Sequence, residues 1–418
     1  MRAFVRLLVL AAAGCATALS AAAAPLTVEQ VLADVRARHP ALRAAGATAA
    51  ANRERVLQAG AWEDPVAGLE FQRDATTRLS TYDHAEFSLA QKIPLSGNRE
   101  RRRALAAAGA DVSVAAIRSQ EFLLVAEARD AFFQLLRARE QLTLTQETAQ
   151  LLGQAVDITR SRLTTGAGNL VALLLAETER VRLDERIITL DREIADASAT
   201  LNTLRDLPPQ APLGEAAAPA LATTDLPFPT LEEAQTHALA HRPELNEAFA
   251  RITEAQRARD LADRAWRPDP EIIVKARHMN TDSTLIKSYD TGIAVSLPWF
   301  NDGKYRSAQR EADHRREAAE GDAAALRSKT VAEVREMWQR IETARRNIEL
   351  FRDKLLPLAR QASEATRSGL INGGVTIAEL VVAQRTLVDT QTSLAANVAD
   401  FHRYRAMLAT LAGAADQP

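Results

Sequence analysis

The chain holds a single cysteine, Cys15, among its 418 residues, and that one stands in the N-terminal apolar segment. The remainder therefore offers no disulfide, no Cys–His nucleophile pair and no thiolate metal centre. Aromatic residues make up only 5% of the chain and glycine is sparse, with 17 residues. Neither suits a set of ordinary globular cores, although the length alone suggests two to three compact domains. No excess of charge is present: 52 Lys and Arg stand against 54 Asp and Glu. No basic face invites nucleic acid, and no acidic tail is present. Beyond the N-terminal segment no run reaches ~18 uninterrupted apolar residues, so no segment reads as a transmembrane helix. Phosphate loop, nucleophile elbow and zincin pair are all missing, which leaves an enzyme reading without a catalytic constellation and without a cofactor.

What is there is helical. Ala, Leu, Arg, Glu and Gln dominate, a mix that favours long helices with small side chains at their contacts. The sequence is also written twice, with an offset of about 205 residues. His39-Pro40-Ala41-Leu42 returns as Arg242-Pro243-Glu244-Leu245, and Trp62 with Asp64-Pro65 returns as Trp266 with Asp269-Pro270. Val125-Ala126-Glu127-Ala128-Arg129 returns as Val331-Ala332-Glu333-Val334-Arg335. Gly166 precedes Leu173 as Gly373 precedes Leu380. A constant offset over separated landmarks marks a duplicated half-protein.

Residues 1–24 read as a secretory signal: Arg2 and Arg6, then an apolar stretch from Leu7 to Ala13, then small residues from Ala21 to Ala24. Cys15 after Ala12-Ala13-Gly14 offers a lipid-anchor site beside the conventional cut further on. The first repeat spans 25–206: a helix broken at Pro40, strands at about 66–73 and 84–92, a long helix at about 98–164, a tip turn, and a return helix at 169–206. A proline-rich linker, 207–229, follows. The second repeat spans 230–412 in the same order, with strands at about 271–278 and 291–297, a long helix at about 303–369, a tip turn and a return helix at 375–412, and 413–418 forms a tail.

The strands alternate with period two. Leu69 and Phe71 oppose Glu70 and Gln72; Ala85, Phe87 and Leu89 oppose Glu86, Ser88 and Ala90; Ile272, Val274 and Ala276 oppose Ile273, Lys275 and Arg277; Ile293, Val295 and Leu297 oppose Gly292, Ala294 and Ser296. In the long segments the apolar positions step by three and four, as in a coiled coil. One seam runs Val125, Ala128, Phe132, Leu135, Arg139, Leu142; the other runs Val331, Val334, Trp338, Ile341, Arg345, Ile348, Arg352, Leu355. A 67-residue helix of this kind would be roughly 100 Å long.

A few strands of eight or nine residues cannot close a barrel alone, and an open edge is not tolerated in lipid. Strands of this length match an outer-membrane span, so several chains would each lend strands to one barrel. Trp62, Tyr82, Trp266, Tyr289, Trp299 and Phe300 flank or end the strands, where a membrane-interface belt belongs. A small soluble sheet whose tryptophans plug a core fits the strands equally well; the signal, the missing disulfides and the long helices favour the membrane.

With these parts in order, the chain resembles the TolC family of outer-membrane efflux ducts, and within it the CzcC/CusC-type members serving heavy-metal resistance-nodulation-division pumps. The resemblance rests on Ile93-Pro94-Leu95-Ser96-Gly97-Asn98-Arg99 and on Ser296-Leu297-Pro298-Trp299-Phe300-Asn301-Asp302-Gly303-Lys304, similar to the family's strand-to-helix junctions. It rests also on Arg162-Leu163-Thr164-Thr165-Gly166 and Leu370-Ile371-Asn372-Gly373, similar to its helix tips. It implies a mainly α fold with a small β part. As a homotrimer, four strands from each protomer would complete a twelve-stranded barrel in outer-membrane lipid, continued by a helical tunnel into the periplasm. It implies partners too: a periplasmic adaptor docking at the tips, here Thr165, Gly166, Ala167, Gly168, Asn372, Gly373, Gly374 and Val375, and an inner-membrane pump supplying energy. The family constricts its entrance with acids, and Glu379 matches one of them in type and position; the matching place in the first half is Ala172, and the next acid corresponds to Val382. The chain therefore has a poorer acidic gate than the family pattern, and Glu379 reads equally as a solvated helix residue. The expected function is a passive exit duct, with heavy-metal cations as one cargo. The rival is a periplasmic coiled-coil adaptor or scaffold, which the doubled hairpin and scarce strands disfavour.

Seven histidines are scattered along the chain. His237 and His241 share a helix face at the spacing of two metal ligands, without a third, and His84 and His278 lie on or beside strands. The cluster Arg99, Arg101, Arg102, Arg103 marks the start of a long helix near the inner face of the membrane rather than a nucleic-acid patch.

Overall fold

The computed structural model describes residues 26–72, 84–165, 170–216, 226–279, 288–371 and 374–413. The expected signal segment with Cys15, and the tail after Gly413, lie outside the described residues. Helices α1 (Val28–Arg38) and α2 (Pro40–Ala59) lead into strands β1 (Val66–Gln72) and β2 (His84–Lys92), then α3 (Asn98–Thr164) and α4 (Leu170–Leu204). The same order returns as α5 (Leu231–His241), α6 (Pro243–Ala262), β3 (Pro270–Met279), β4 (Ser288–Val295), a 3-10 turn (Pro298–Asn301), α7 (Asp302–Leu350), a π turn (Phe351–Leu355), α8 (Leu356–Ile371) and α9 (Ile377–Leu411). The paired helices agree in length: α1 and α5 have 11 residues, α2 and α6 have 20, and α4 and α9 have 35.

The chain divides into two compact units. One gathers the segment through Val35, Ala128–Thr223 and Asn347–Asp400. It buries Val31, Val35, Phe132, Leu135, Leu190 and Leu201. Here the start of the proline-rich stretch is pinned: Asn202 donates to the carbonyls of Pro209 (3.1 Å) and Ala211 (2.8 Å), and the Leu26 N–H donates to Glu215 at 2.7 Å. The half-buried Arg205–Asp34 ion pair (2.7 Å) ties α4 to α1.

The other unit gathers Arg36–Glu127, Thr224–Arg346 and the segment from Phe401. It contains the antiparallel sheet, in the order β1-β2-β3-β4. The final strand sits at Ser288–Val295 rather than at 291–297, because its last partner on β3 is Pro270. Beyond Pro270 the chain turns toward α6 and offers no ladder to Leu297, which is exposed.

Proline breaks the first helix of each half at the same place, by different means. His39 caps α2, accepting from the Ala41 N–H through Nδ1 at 3.2 Å. Arg242, at the matching position, is 3% exposed. It bonds Glu244, Glu333 (2.6 Å) and Thr330 (3.1 Å) and lies over the Phe122 ring. Burial opposes its charge, but the hydrogen bonds to Glu244 and Glu333 outweigh burial and hold the guanidinium above its ordinary value.

The coiled-coil seam buries Val125, Ala128, Phe132 and Leu135 in α3 and Val334, Ile341 and Ile348 in α7 as expected, while at Arg139, Val331, Trp338 and Arg345 the buried residue is the one before. In α7 from Thr330 onward the buried side chains are Thr330, Val334, Met337, Ile341, Ala344 and Ile348, so Ala344 takes the seat and Arg345 flanks it. In α3 Ala138 is buried and Arg139 reaches out to the Gly214 carbonyl at 3.2 Å. A small side chain lets facing helices close, and arginine lies along the edge with its head in water. The long helix of the second half is also not continuous, since the π turn interrupts it. Pro357 supplies the cause: it has no N–H for the carbonyl four residues back, and its ring crowds that carbonyl, which belongs to Asp353 inside the turn. Stepping three and four from Ile348 leads to Phe351, Leu355 and Leu358. The buried residues are instead Leu356, Ala359 and Ser363, each one place later, while Leu355 and Leu358 are 39% and 62% exposed.

Arg242→Met would remove the charge that Glu244 and Glu333 face. Both partners keep some access to water, so the loss should be about 2 kcal/mol, below that of a fully buried pair. Hydrogen exchange of the amides around Thr330–Val334 should quicken about tenfold or more, with the sheet amides unchanged.

Candidate functional site

The register carries one face across every strand. Leu69 pairs with Phe87 and Phe71 with Ala85; Phe87 pairs with Ala276 and Leu89 with Val274; Ile272 pairs with Ile293 and Ala276 with Tyr289. These side chains form a continuous apolar surface, and it is not covered: Ile293 is 74% exposed, Leu69 63% and Phe71 60%. The opposite face collects Glu70, Glu86, Lys275, Arg277 and Asp290. Glu86 lies between two cations, accepting from Lys275 at 2.6 Å and Arg277 at 3.0 Å, and Arg277 is also 3.5 Å from Asp290. His84 bonds Gln72 on this face. The outer edges of β1 and β4 have no partner strand among the described residues.

The aromatic residues divide between the sheet's ends. Trp62 precedes β1, Trp266 precedes β3, and Trp299 and Phe300 follow β4, which places all of them, exposed, at the end where α3 and α7 begin. Tyr289 lies toward the opposite end on the apolar face, 70% exposed. Tyr82 lies outside the described residues.

Of the expected tip residues, Gly166, Ala167, Gly168, Asn372 and Gly373 lie outside the described residues. Thr165 ends α3, its N–H on the Ser161 carbonyl at 3.3 Å. Gly374 returns its N–H to the Gly369 carbonyl at 2.9 Å, and Val375 then packs directly on Gly369. A Cβ on Gly369 would come within 2.3 Å of the Val375 side chain. Gly369, inside the helix, is thus a place in this turn where a side chain does not fit. Its sequence signal is a lone glycine two turns before the next helix.

Glu379 is exposed in the first turn of α9 and closes a reciprocal cap. Its carboxylate accepts from the Thr376 N–H at 2.7 Å and hydroxyl at 3.0 Å, while its own N–H donates to Thr376 Oγ1 at 3.3 Å. The Thr376 backbone and hydroxyl bonds hold this carboxyl below its ordinary range. The matching Ala172 is buried with Val156, Leu173 and Ala176, against Leu163, Leu370 and Val381. An acid there would lose its hydration, which accounts for the alanine. Val382 is exposed and apolar.

His237 and His241 are tied to one another and to the backbone. His237 and His241 stack at 4.0 Å, His237 bonds the Ala412 carbonyl and His241 the His237 carbonyl at 3.0 Å. Among the described residues no group of three His, Cys, Asp or Glu is placed to hold a metal ion.

An uncovered apolar sheet face joined to doubled helical hairpins is matched by one family profile, that of the outer membrane efflux proteins, over residues 31–205 and 235–414. The chain belongs to that family. Solved outer-membrane proteins share its fold at low identity. CusC is 18% identical with a TM-score of 0.79, covering 92% of each chain. The Campylobacter jejuni channel CmeC is 14% identical with a TM-score of 0.80, covering 93% of this chain and 86% of its own. VceC of Vibrio cholerae is 15% identical with a TM-score of 0.77, covering 92% of this chain and 96% of its own. No curated protein sequence matches. The family comprises non-enzymatic transport ducts, so this efflux protein is an outer-membrane channel and not an enzyme.

Gly369→Ala tests the second tip. On an ordinary helix the change would gain up to about 1 kcal/mol of propensity. Against Val375 it should instead cost about 1–3 kcal/mol of overpacking. Amide exchange at residues 374–380 should rise in the variant; slower exchange there would show that the packing on Gly369 is dispensable.

Proposed function

We propose that this efflux protein works as a homotrimeric exit duct. Each protomer would contribute β1–β4 to a shared twelve-stranded barrel, and the helices would continue as a tunnel into the periplasm. A periplasmic adaptor would dock at the tips around Thr165 and Gly374–Val375, and an inner-membrane resistance-nodulation-division pump would supply the energy. The observation that supports this best is the sheet. It exposes an apolar face, keeps its charges on the other, and leaves two edges open. At about 25 cal/mol per Å² the apolar face is costly in water, and the open edges are costly in lipid, so a membrane and a neighbouring copy answer both. Heavy-metal cations are the cargo class we infer, supported by the likeness to the metal-type ducts noted in the sequence. Passage would be by diffusion past Glu379 and along the charged face of the sheet.

The faces are tested by two adjacent residues. Ile293→Lys puts a charge on the apolar face and should cost up to about 2–4 kcal/mol, depending on depth. Gly292→Lys, on the other face with open space around it, should assemble normally. Equal trimer yields from outer-membrane fractions, read by heat-sensitive gel migration, would refute the assignment of the faces.

The role of Glu379 is tested by Glu379→Gln, since glutamine can close the same cap without the charge. At low salt the variant should show reduced cation preference in planar bilayers, with helix protection retained. The difference should shrink toward 1 M salt, where the screening length is about 3 Å. Because the cap lowers the carboxyl's pKa, the charge should persist as pH falls below the usual carboxylate range and vanish only on crossing that lowered value. Unchanged selectivity at low salt would confine Glu379 to capping.

A further inference from the structure

The end of the sheet where the helices begin carries more than aromatic residues. Arg267 lies over the Trp266 ring at 5.5 Å, just before β3, and Lys304 lies over the Tyr305 ring at 5.5 Å, in the first turn of α7. Both cations are exposed. Pro270 pairs with Val295, so the segments entering β3 and leaving β4 are brought to one end. The junction is also tied down there: the Ile93 N–H donates to the Pro270 carbonyl at 2.8 Å, the Ser96 N–H to Asp269 at 2.7 Å, and Asn98 to the Arg267 carbonyl at 3.3 Å.

Several acids at this end are already engaged. Glu63 bridges Lys92 (3.1 Å) and Arg102 (3.7 Å), Glu100 pairs with Arg99 at 2.8 Å, and Asp302 pairs with Arg306 at 2.8 Å. Arg267 and Lys304 form no ion pair among the described residues and are held instead against aromatic faces. A cation stacked on an aromatic ring, with its charge still in water and apolar side chains such as Trp299 and Phe300 beside it, has the composition of a headgroup site. The rings sit at the apolar boundary and the charge sits in the plane of the phosphates.

We propose that Arg267 with Trp266, and Lys304 with Tyr305, form two binding sites for anionic phospholipid headgroups in the leaflet that faces the helices. The proposal rests on the membrane placement of the sheet argued above. The occupant is a lipid rather than a free oxyanion because only a lipid also covers the adjoining apolar side chains. The two sites flank strands β3 and β4 of the second half, and the matching place before β1 has Trp62 followed by Glu63, so anionic lipid would gather at one side of each protomer.

The test uses the full-length protein in lipid bilayers of phosphatidylcholine containing 20% phosphatidylglycerol, with bromine on the acyl chains of one lipid or the other to quench tryptophan. A nearby basic group enriches anionic lipid about fivefold. At equal mole fraction, brominated phosphatidylglycerol should therefore quench several-fold more effectively than brominated phosphatidylcholine. The preference should disappear in the double variant Arg267→Gln, Lys304→Gln and persist in 10 mM inorganic phosphate. Equal quenching by both lipids in the wild type, or loss of the preference to free phosphate, overturns the proposal while leaving the membrane placement intact. A preference that survives in the double variant overturns the assignment to these two residues. Absence of quenching by either lipid overturns the placement of the sheet itself, and is thereby told apart from failure of the headgroup sites.

Discussion

The rest of this molecule depends on the backbone groups at the two outer edges of its sheet. Every N–H and C=O in an apolar medium needs a partner, since each one left alone costs several kcal/mol. Inside the sheet the ladders from β1 to β4 meet this need. At the outer edges of β1 and β4 no partner strand does so among the described residues. The polar face can afford water, but the apolar face cannot, and both faces share the same edges. In lipid, a sheet of this kind would need its edges completed by another strand.

The helical parts answer a related demand by small residues and engaged charges. Ala138 and Ala344 hold seats where arginine stands next in sequence, and Arg242 is allowed into the interior only because Glu244, Glu333 and Thr330 receive it. The same economy appears at the tips. Ala172 is buried where Glu379, its counterpart in the other half, is exposed and bonded to Thr376. Duplicated positions diverged according to whether water reaches them.

Much of this was legible in the sequence. Period-two alternation disclosed which strand residues share a face, because a strand has only two faces and a one-residue slip would invert them all. The mainly helical class followed from composition and from proline-free lengths. The seams follow the three-and-four step at Phe132, Leu135, Val334, Ile341 and Ile348, but Ala138 and Ala344 take the seats beside Arg139 and Arg345, because alanine is neutral in any apolar count and only burial decides for it. The end of β4 was extended to Leu297 because alternation continues past the last residue of β3 able to pair with it. Among the site residues, Glu379 stands out through its match to the family's entrance acids, while its bond to Thr376 follows from Thr-x-x-Glu before an apolar run, a capping signature. Gly369 was missed because its need comes from Val375 crossing above it, a contact that no local pattern encodes.

The π turn before Pro357 has an effect beyond relieving one proline. An extra residue in a helix turns everything after it by about 100°. The buried positions record that rotation directly, moving from the track through Ile348 to Leu356, Ala359 and Ser363. In the first half α3 runs without such a break, so its two ends are locked in rotational phase and a change of seam at one end is felt at the other. In the second half the phase is reset once, between α7 and α8. The two copies of the repeat therefore differ in phase: one keeps a single buried track along its length, and the other presents its tip on a face turned relative to its base.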